Sequence, residues 1–397
     1  MDDGPRIVLS FNSGSSSHKF ALYRFAGGRE ELIAEGAAEG IGVERGRLWI
    51  RDGSARTLAD GARGFARFED AFDALFDEIA RLGLPHPDAS GHRIVHGGPD
   101  HFAPERVTPA LIEELRGLVP FAPLHLPVEI RGLEAMAARW PRRPQAVCFD
   151  TGFHRRMPEI ARRLALPRAL WDEGIRRYGF HGLSYEYILS EIQKLDGELA
   201  KGRVIMAHLG NGASMAAVRD GNPIDTTMGF TPSGGFMMST RSGDLDPGAL
   251  LYLLAHKGYD AARLERTINR ESGLLGVSGL SSDVKELLEA RASDPRAALA
   301  LDMFCYQVRK QVGAFAAAMG GLDLLVFTAG IGERAAPVRA EICRGLRHLG
   351  VMLDAGRNDA NADTIGAATS RCAVRVIPTN EDLMIARHTR RTLFEST

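Results

Sequence analysis

At 397 residues, with 49 Lys and Arg against 50 Asp and Glu, the chain is long enough for about two or three domains and close to neutral. Nothing in that balance points to nucleic acid or to an anionic membrane. No run reads as a signal peptide or as a membrane-length apolar segment, so a cytoplasmic location is expected. The four cysteines, Cys148, Cys305, Cys343 and Cys372, lie far apart without metal-ligand or redox spacing and read as buried reduced thiols.

Arg6 to Phe11 reads as a strand, Asn12-Ser13-Gly14-Ser15-Ser16-Ser17-His18-Lys19 as a hydroxyl-rich turn, and Phe20 to Tyr23 as a returning strand. Serine-rich turns are common, so this one is weak evidence by itself. Lys19 would place a mobile positive charge near phosphate, and Asn12 can reach a metal or its bound water. Gly27 to Gly61 reads as short strands and turns. Phe65, Phe68, Phe72, Leu75, Phe76, Ile79 and Leu82 recur at helical spacing and predict a core-facing helix. His92 to Gly98 is a short strand running into a glycine pair, where Arg93 is either a satisfied structural arginine or an anion ligand. Thr108-Pro109 opens a helix through Leu118, with Thr as N-cap, and Phe121 to Pro127 is a loop before a helix to about Arg139.

Gln145 to Phe149 is a strand ending at Asp150. An Asp there often sits at the ligand crevice of an α/β protein, although helix capping is its commoner fate. Tyr178-Gly179-Phe180-His181-Gly182 sets a histidine among glycines and aromatics. Val204 to Ala207 is a buried strand, His208-Leu209-Gly210-Asn211-Gly212 a turn, and Met215 to Val218 a returning strand. The shape matches the N-terminal hairpin, which suggests two related halves. Thr226 to Asp244 has almost no helix signal, and its glycines, hydroxyls and Arg241 suit either an anion site or a structural loop. Met228, Phe230, Phe236, Met237 and Met238 argue against disorder there. Asp246-Pro247 and Asp294-Pro295 open helices to about His256 and Met319, and Asp283 reads as a helix cap with Glu286 placed for a capping box. Leu322 to Phe327 is a strand, Thr328 to Glu333 a glycine turn leading into a helix after Pro337, Val374 to Pro378 the last strand, and Thr379 to Asp382 the start of a final helix.

No phosphate-binding loop of the G-x-x-x-x-G-K-[ST] type occurs, and no dinucleotide fingerprint follows the first strand. What remains is a set of hydroxyl and glycine turns at strand ends in two halves, the pattern of a two-domain ATPase with its nucleotide in the cleft between domains. The segments FNSGSSSHKF, HRIVHGG, FAPLH, FDTGFHRRMP, RRYGFHG, AHLGNGAS, DTTMGFTP, MMSTRSGDLDP, FTAGIGE and IPTNEDLMIARHT resemble the acetate kinase family, within the acetate and sugar kinase, Hsp70 and actin superfamily, in order along essentially the whole chain.

The resemblance implies an α/β protein of two related actin-like (ribonuclease H-like) domains with an interdomain active-site cleft, residues 1–150 plus 383–397 and residues 151–382. It implies reversible phosphoryl transfer from ATP to acetate, giving acetyl phosphate and ADP, with Mg2+ or in its place Mn2+, in a homodimer that binds neither nucleic acid nor membrane. At matching positions, Asn12 and Glu381 would position the metal. Lys19 and His208, Leu209, Gly210, Asn211 and Gly212 would contact nucleotide phosphates. Asp283, Val284 and Lys285 with Gly330, Ile331, Gly332, Glu333 and Arg334 would hold the adenosine. Arg93 would bind the carboxylate, Val95, Leu124, Phe180 and Pro232 would form the methyl pocket, and Asp150, His181 and Arg241 would act at the transferring phosphoryl group. Asp150 is commonly treated in the family as a base, yet a carboxylic acid substrate with a pKa near ~4–5 is already ionised at neutral pH. An orienting role for Asp150 is therefore expected.

The chain departs from the family pattern at Leu126, Leu183, Tyr185, Ser233-Gly234, Lys285 and Arg334. Lys285 and Arg334 bear on nucleotide preference, and Leu126 and Ser233 on acyl-chain size, where a methylene is worth only ~1–3 kcal/mol. The alternatives are a propionate or butyrate kinase of the same family or, in a different class, an actin-like ATP-binding protein without an acyl acceptor.

Overall fold

The computed structural model describes residues 4–14 and 16–395, so Ser15 of the serine-rich turn and the ends of the terminal stretches lie outside the described residues. The chain forms two compact units, 1–152 with 380–397, and 153–379.

The first unit holds strands β1 (Arg6–Ser13), β2 (Ser17–Ala26), β3 (Arg29–Glu39), β4 (Arg47–Asp52), β5 (Thr57–Ala62), β6 (Ala89–Ile94), β7 (Glu105–Arg106) and β8 (Gln145–Phe149) in the order β5-β4-β3-β2-β1-β6-β8-β7. β1, β2 and β3 pair antiparallel through tight connections, while β1–β6 and β6–β8 are parallel. Parallel neighbours need long crossovers. The helix Phe68–Arg81 lies in the first, and the helices Pro109–Gly117 and Leu126–Arg139 in the second. Phe72 and Phe76 pack their rings against Phe11 of β1, which places the predicted apolar helix face on the sheet. Phe65 is outside that helix and bridges to Ile41 instead. The last helix, Glu381–Phe394, packs on β1, β6 and β8, so Glu381 and Asp382 belong to this unit. Gly91 of β6 permits that approach, since a Cβ there would lie 1.9 Å from Thr389 Oγ1.

The second unit holds β9 (Arg203–Leu209), β10 (Ala213–Arg219), β11 (Asn222–Thr226), β12 (Leu324–Thr328) and β13 (Ala373–Val376) in the order β11-β10-β9-β12-β13. β9–β10 and β10–β11 are antiparallel, and β9–β12 and β12–β13 parallel. This repeats β3-β2-β1-β6-β8 strand for strand. The fold is α/β with two mixed sheets, one actin-like core in each unit. β12 is buried along its whole length, as befits a central parallel strand covered on both faces.

Several elements differ from the sequence reading. Residues 27–61 form three substantial strands rather than short ones, β3 alone being 11 residues. β11 carries Pro223, which argues against a strand, but β11 lies at the sheet edge, where proline is tolerated. His208 and Leu209 belong to β9, so the turn is only Gly210-Asn211-Gly212. Residues Ala329–Arg334 form a helix rather than a turn, and the next helix, Ala336–Arg344, takes Pro337 into its first turn. Leu126 likewise opens its helix, with Pro127 in the first turn. The predicted caps Thr108, Asp246, Asp283 and Asp294 each accept a backbone N–H. The four cysteines are buried and form no disulfide. Among the described residues no helix is long and apolar enough to cross a membrane.

Candidate active site

In the first unit, three carboxylates surround one guanidinium. Arg93, near the end of β6, has a side chain 17% exposed; its Nη2 donates to Asp150 Oδ2, Nη1 stands 3.9 Å from Glu129 Oε1 and Nε 3.9 Å from Glu381 Oε2. Each acid comes from a different element. Asp150 follows β8 and donates its backbone N–H to Ile94 O at 3.0 Å. Glu129 lies in the first turn of Leu126–Arg139 and accepts Val95 N–H at 3.0 Å. Glu381 opens the last helix. That helix is capped by Asn380, whose Oδ1 accepts Leu383 N–H at 2.8 Å and Tyr23 Oη–H at 3.1 Å, while Ser10 Oγ donates to Asp382. Its N-terminus is thereby pinned to the β1–β2 hairpin, where Asn12 pairs with the exposed Lys19.

Asp150 and Glu129 are buried, while Glu381 is partly exposed. Burial pushes Glu129 up to about 8 against the pull of Arg93, and burial raises Glu381 and Asp382 as well. Burial opposes the charge on Arg93, yet Asp150, Glu381 and Glu129 together hold it above its ordinary value. The oxygen donors that Asn12 and Glu381 offer are of the hard kind that a small divalent cation takes. Among the described residues no three acidic, histidine or cysteine side chains gather around a metal. Mg2+ commonly takes one or two carboxylates and completes its shell with water and phosphate oxygens.

In the second unit the turn Gly210-Asn211-Gly212 is the centre. The rings of His181 and His208 stack with centroids 4.1 Å apart and planes 12° apart. His181 precedes the helix Gly182–Leu195 with φ 57, a left-handed conformation that costs a non-glycine residue roughly 1–2 kcal/mol. A Cβ at Gly212 would lie 3.3 Å from both His181 Nε2 and Arg241 Nη1, so these two groups converge over bare backbone. Arg241 Nη1 donates to Pro232 O at 3.1 Å, and Ser239 N–H donates to Asn211 O at 3.3 Å, tying the long loop to the turn. Met228, Phe236, Met237 and Met238 are buried and anchor the loop.

Beside this lies a cavity of about 400 Å³, walled by Gly210 and Asn211, by Asp283, Val284 and Lys285, and by Gly330, Ile331 and Arg334. Asp283 caps its helix, accepting Lys285 N–H at 2.7 Å and Glu286 N–H at 3.2 Å, while Glu286 receives Ser281 Oγ–H rather than closing a box on Asp283. The cavity wall does not include His208, Leu209, Gly212, Gly332 or Glu333. The Leu209 side chain is fully buried. The Glu333 carboxylate has a structural job, accepting Ala329 N–H at 2.8 Å and Thr379 N–H at 3.1 Å. Of the four apolar candidates, Val95 (buried) and Leu124 (half-buried) lie in the first unit, and Phe180 (buried) and Pro232 (half-buried) in the second. Sequence reasoning missed Glu129, although an acid on a helix face shared with Leu126, Ile130 and Leu133 is a legible anomaly.

A family model described as the acetokinase family matches residues 7–387. The chain belongs to the acetokinase family. It is similar to the acetate kinase of Methylocella silvestris (45% identity over 397 residues, 97% of each chain) and to that of Rhodopseudomonas palustris (46% over 389 residues, 96% of this chain and 97% of the other). Among solved structures it resembles the acetate kinase of Porphyromonas gingivalis (37% identity, TM-score 0.87) and a propionate kinase of Francisella tularensis (35%, TM-score 0.91), each spanning 98% of this chain and 100% of the other.

In this acetokinase the neutral form of Glu129 is favoured on folding. The folded chain holds a proton that the unfolded chain has released between the ordinary 4.5 and about 8, so this group's contribution to stability falls as pH rises through that window and is level above it. Glu129→Gln, neutral at every pH, is expected to raise Tm relative to wild type more at about pH 9 than at about pH 5. Equal shifts at both pH values would contradict a protonated buried acid.

Proposed function

We propose that this acetokinase transfers the γ-phosphoryl group of ATP reversibly to acetate, giving acetyl phosphate and ADP. The observation that carries the reading is Arg93, a guanidinium fixed at a strand end by buried carboxylates with Val95 beside it, which suits a short acyl carboxylate. Asp150 takes an orienting role: its carboxylate engages Arg93, and an ionised substrate has no proton for it to remove. Val95, Leu124, Phe180 and Pro232 are assigned to the methyl group.

The cavity of the second unit is assigned to the nucleotide, with Val284 and Ile331 against the base and Lys285 and Arg334 as donors at its rim. Lys19 and the Gly210–Gly212 turn are assigned to its phosphates. A phosphoryl group in transfer spreads negative charge over its equatorial oxygens, and positioned donors lower the barrier by stabilising that charge. His181 and Arg241, which converge over Gly212, are assigned to this. Asn12 and Glu381 would hold Mg2+, or Mn2+ in its place, which neutralises charge on the β- and γ-phosphates when bound. The reaction is expected to run in the cytoplasm.

We also assign a homodimer. None of the residues of the apolar helix Pro247–His256 is buried, and Leu251 (65% exposed), Tyr252 and Leu254 lie open together with Leu245 just before it. An apolar helix without buried residues calls for a covering surface, and a second copy is the occupant we assign. Leu251→Glu is expected to shift the sedimentation coefficient from dimer to monomer; wild-type protein that sediments as a monomer would remove the assignment.

The activity is tested by trapping acyl phosphate with hydroxylamine from Mg-ATP and acetate, propionate or butyrate. Acetate should give the highest kcat/KM. Propionate as the best substrate would keep the mechanism and move the preference, while no acyl phosphate from any of the three, with ATP still bound, would overturn the proposal.

A further inference from the structure

Each of the two stacked imidazoles rests on a pair of hydroxyls. His181 Nδ1 lies 2.8 Å from Ser214 Oγ, which in turn lies 2.5 Å from Tyr185 Oη. His208 Nδ1 lies 2.9 Å from Ser184 Oγ, which accepts Thr379 Oγ1–H at 2.8 Å. Ser184, Tyr185 and Ser214 are fully buried, and the Tyr185 ring is set between Phe153 and His154, each with its centroid 5.7 Å away. Glu333 joins the second pair indirectly, because it holds the Thr379 backbone N–H.

We propose that Tyr185, acting through Ser214, is a positioning residue that keeps His181 in its Nε2–H tautomer, aimed at a phosphate oxygen over Gly212. A serine hydroxyl carries one proton. If Tyr185 donates to Ser214, the serine proton goes to His181 Nδ1, and the ring proton is left on Nε2. The Thr379–Ser184 pair imposes the same order on His208. Both Nε2 atoms face the glycine turn: a Cβ at Gly212 would lie 3.3 Å from that of His181, and a Cβ at Gly210 3.7 Å from that of His208. Two imidazolium rings stacked at 4.1 Å would repel each other, so neutral rings presenting N–H donors are the arrangement that serves an anion without internal conflict. A hydrophobic residue in place of Tyr185 would leave Ser214 free to reverse its hydrogen bond and His181 free to change tautomer.

The catalytic part of this inference rests on the assignment of His181 to the transferred phosphoryl group; the tautomer does not. The test is Tyr185→Phe, which removes only the hydroxyl. In histidine-15N-labelled protein at about pH 7.5, two-bond 1H–15N correlation is expected to show the Nε2–H tautomer for His181 in wild type, assigned by loss of the signal in His181→Asn. In Tyr185→Phe it is expected to show a mixture or the Nδ1–H form. The same variant should lose about tenfold in kcat with KM for acetate and ATP changed by less than about twofold. An unchanged tautomer in Tyr185→Phe overturns the proposal whatever happens to turnover, and a changed tautomer with wild-type kcat overturns the positioning role. If Tyr185→Phe does not fold, Ser214→Ala carries the same two readouts. Wild-type protein that makes no acyl phosphate would fail the proposed reaction while leaving the tautomer measurement able to decide this one.

Discussion

The first unit depends on the placement of Arg93. Its guanidinium is where β6, the end of β8, the helix Leu126–Arg139 and the last helix meet, because each of the last three supplies a carboxylate to it. Burial raises Glu129, Glu381 and Asp382 against the pull of Arg93, so the neutral forms of these acids are favoured around the enclosed cation. A site held in this way is fixed in geometry by its partners.

The second unit solves a different problem with little charge. Its turn between β9 and β10 is bare backbone, so an anion can approach without meeting a Cβ. Among the partners of the groups around it, hydroxyls bond the imidazoles and a backbone carbonyl receives Arg241. His181 is left-handed, and its ring is restrained by Ser214 at the Nδ1 edge and by the His208 ring on one face. The common strand order of the two units means that the same strand–turn–strand position carries Asn12 and Lys19 in one and Gly210 to Gly212 in the other.

Much of this was legible in the sequence where a local rule governs. Aspartates before prolines marked helix starts, and paired apolar runs about a glycine or serine turn marked both hairpins. Arg93 and Asp150 stood out as charged residues at the ends of apolar strands. The failures have long-range causes. Glu333 sits in a glycine-rich stretch that reads as ligand-facing, but one of its partners is the backbone of Thr379, 46 residues on. Glu129 went unremarked because its partners, Arg93 and Val95, come from another element. β11 was missed because proline masks an edge strand, and Gly182–Leu195 because its start lies among glycines.

The central claim is a division of labour, with the acyl group on Arg93 and the nucleotide in the second unit. Calorimetric titration of Arg93→Lys with acetyl phosphate and, separately, with Mg-ADP tests it most directly. Lysine keeps the charge the carboxylates require but loses the paired N–H donors. The account predicts about tenfold weaker acetyl phosphate binding with Mg-ADP affinity unchanged. Undiminished acetyl phosphate binding, or an equal loss for both ligands, would contradict it.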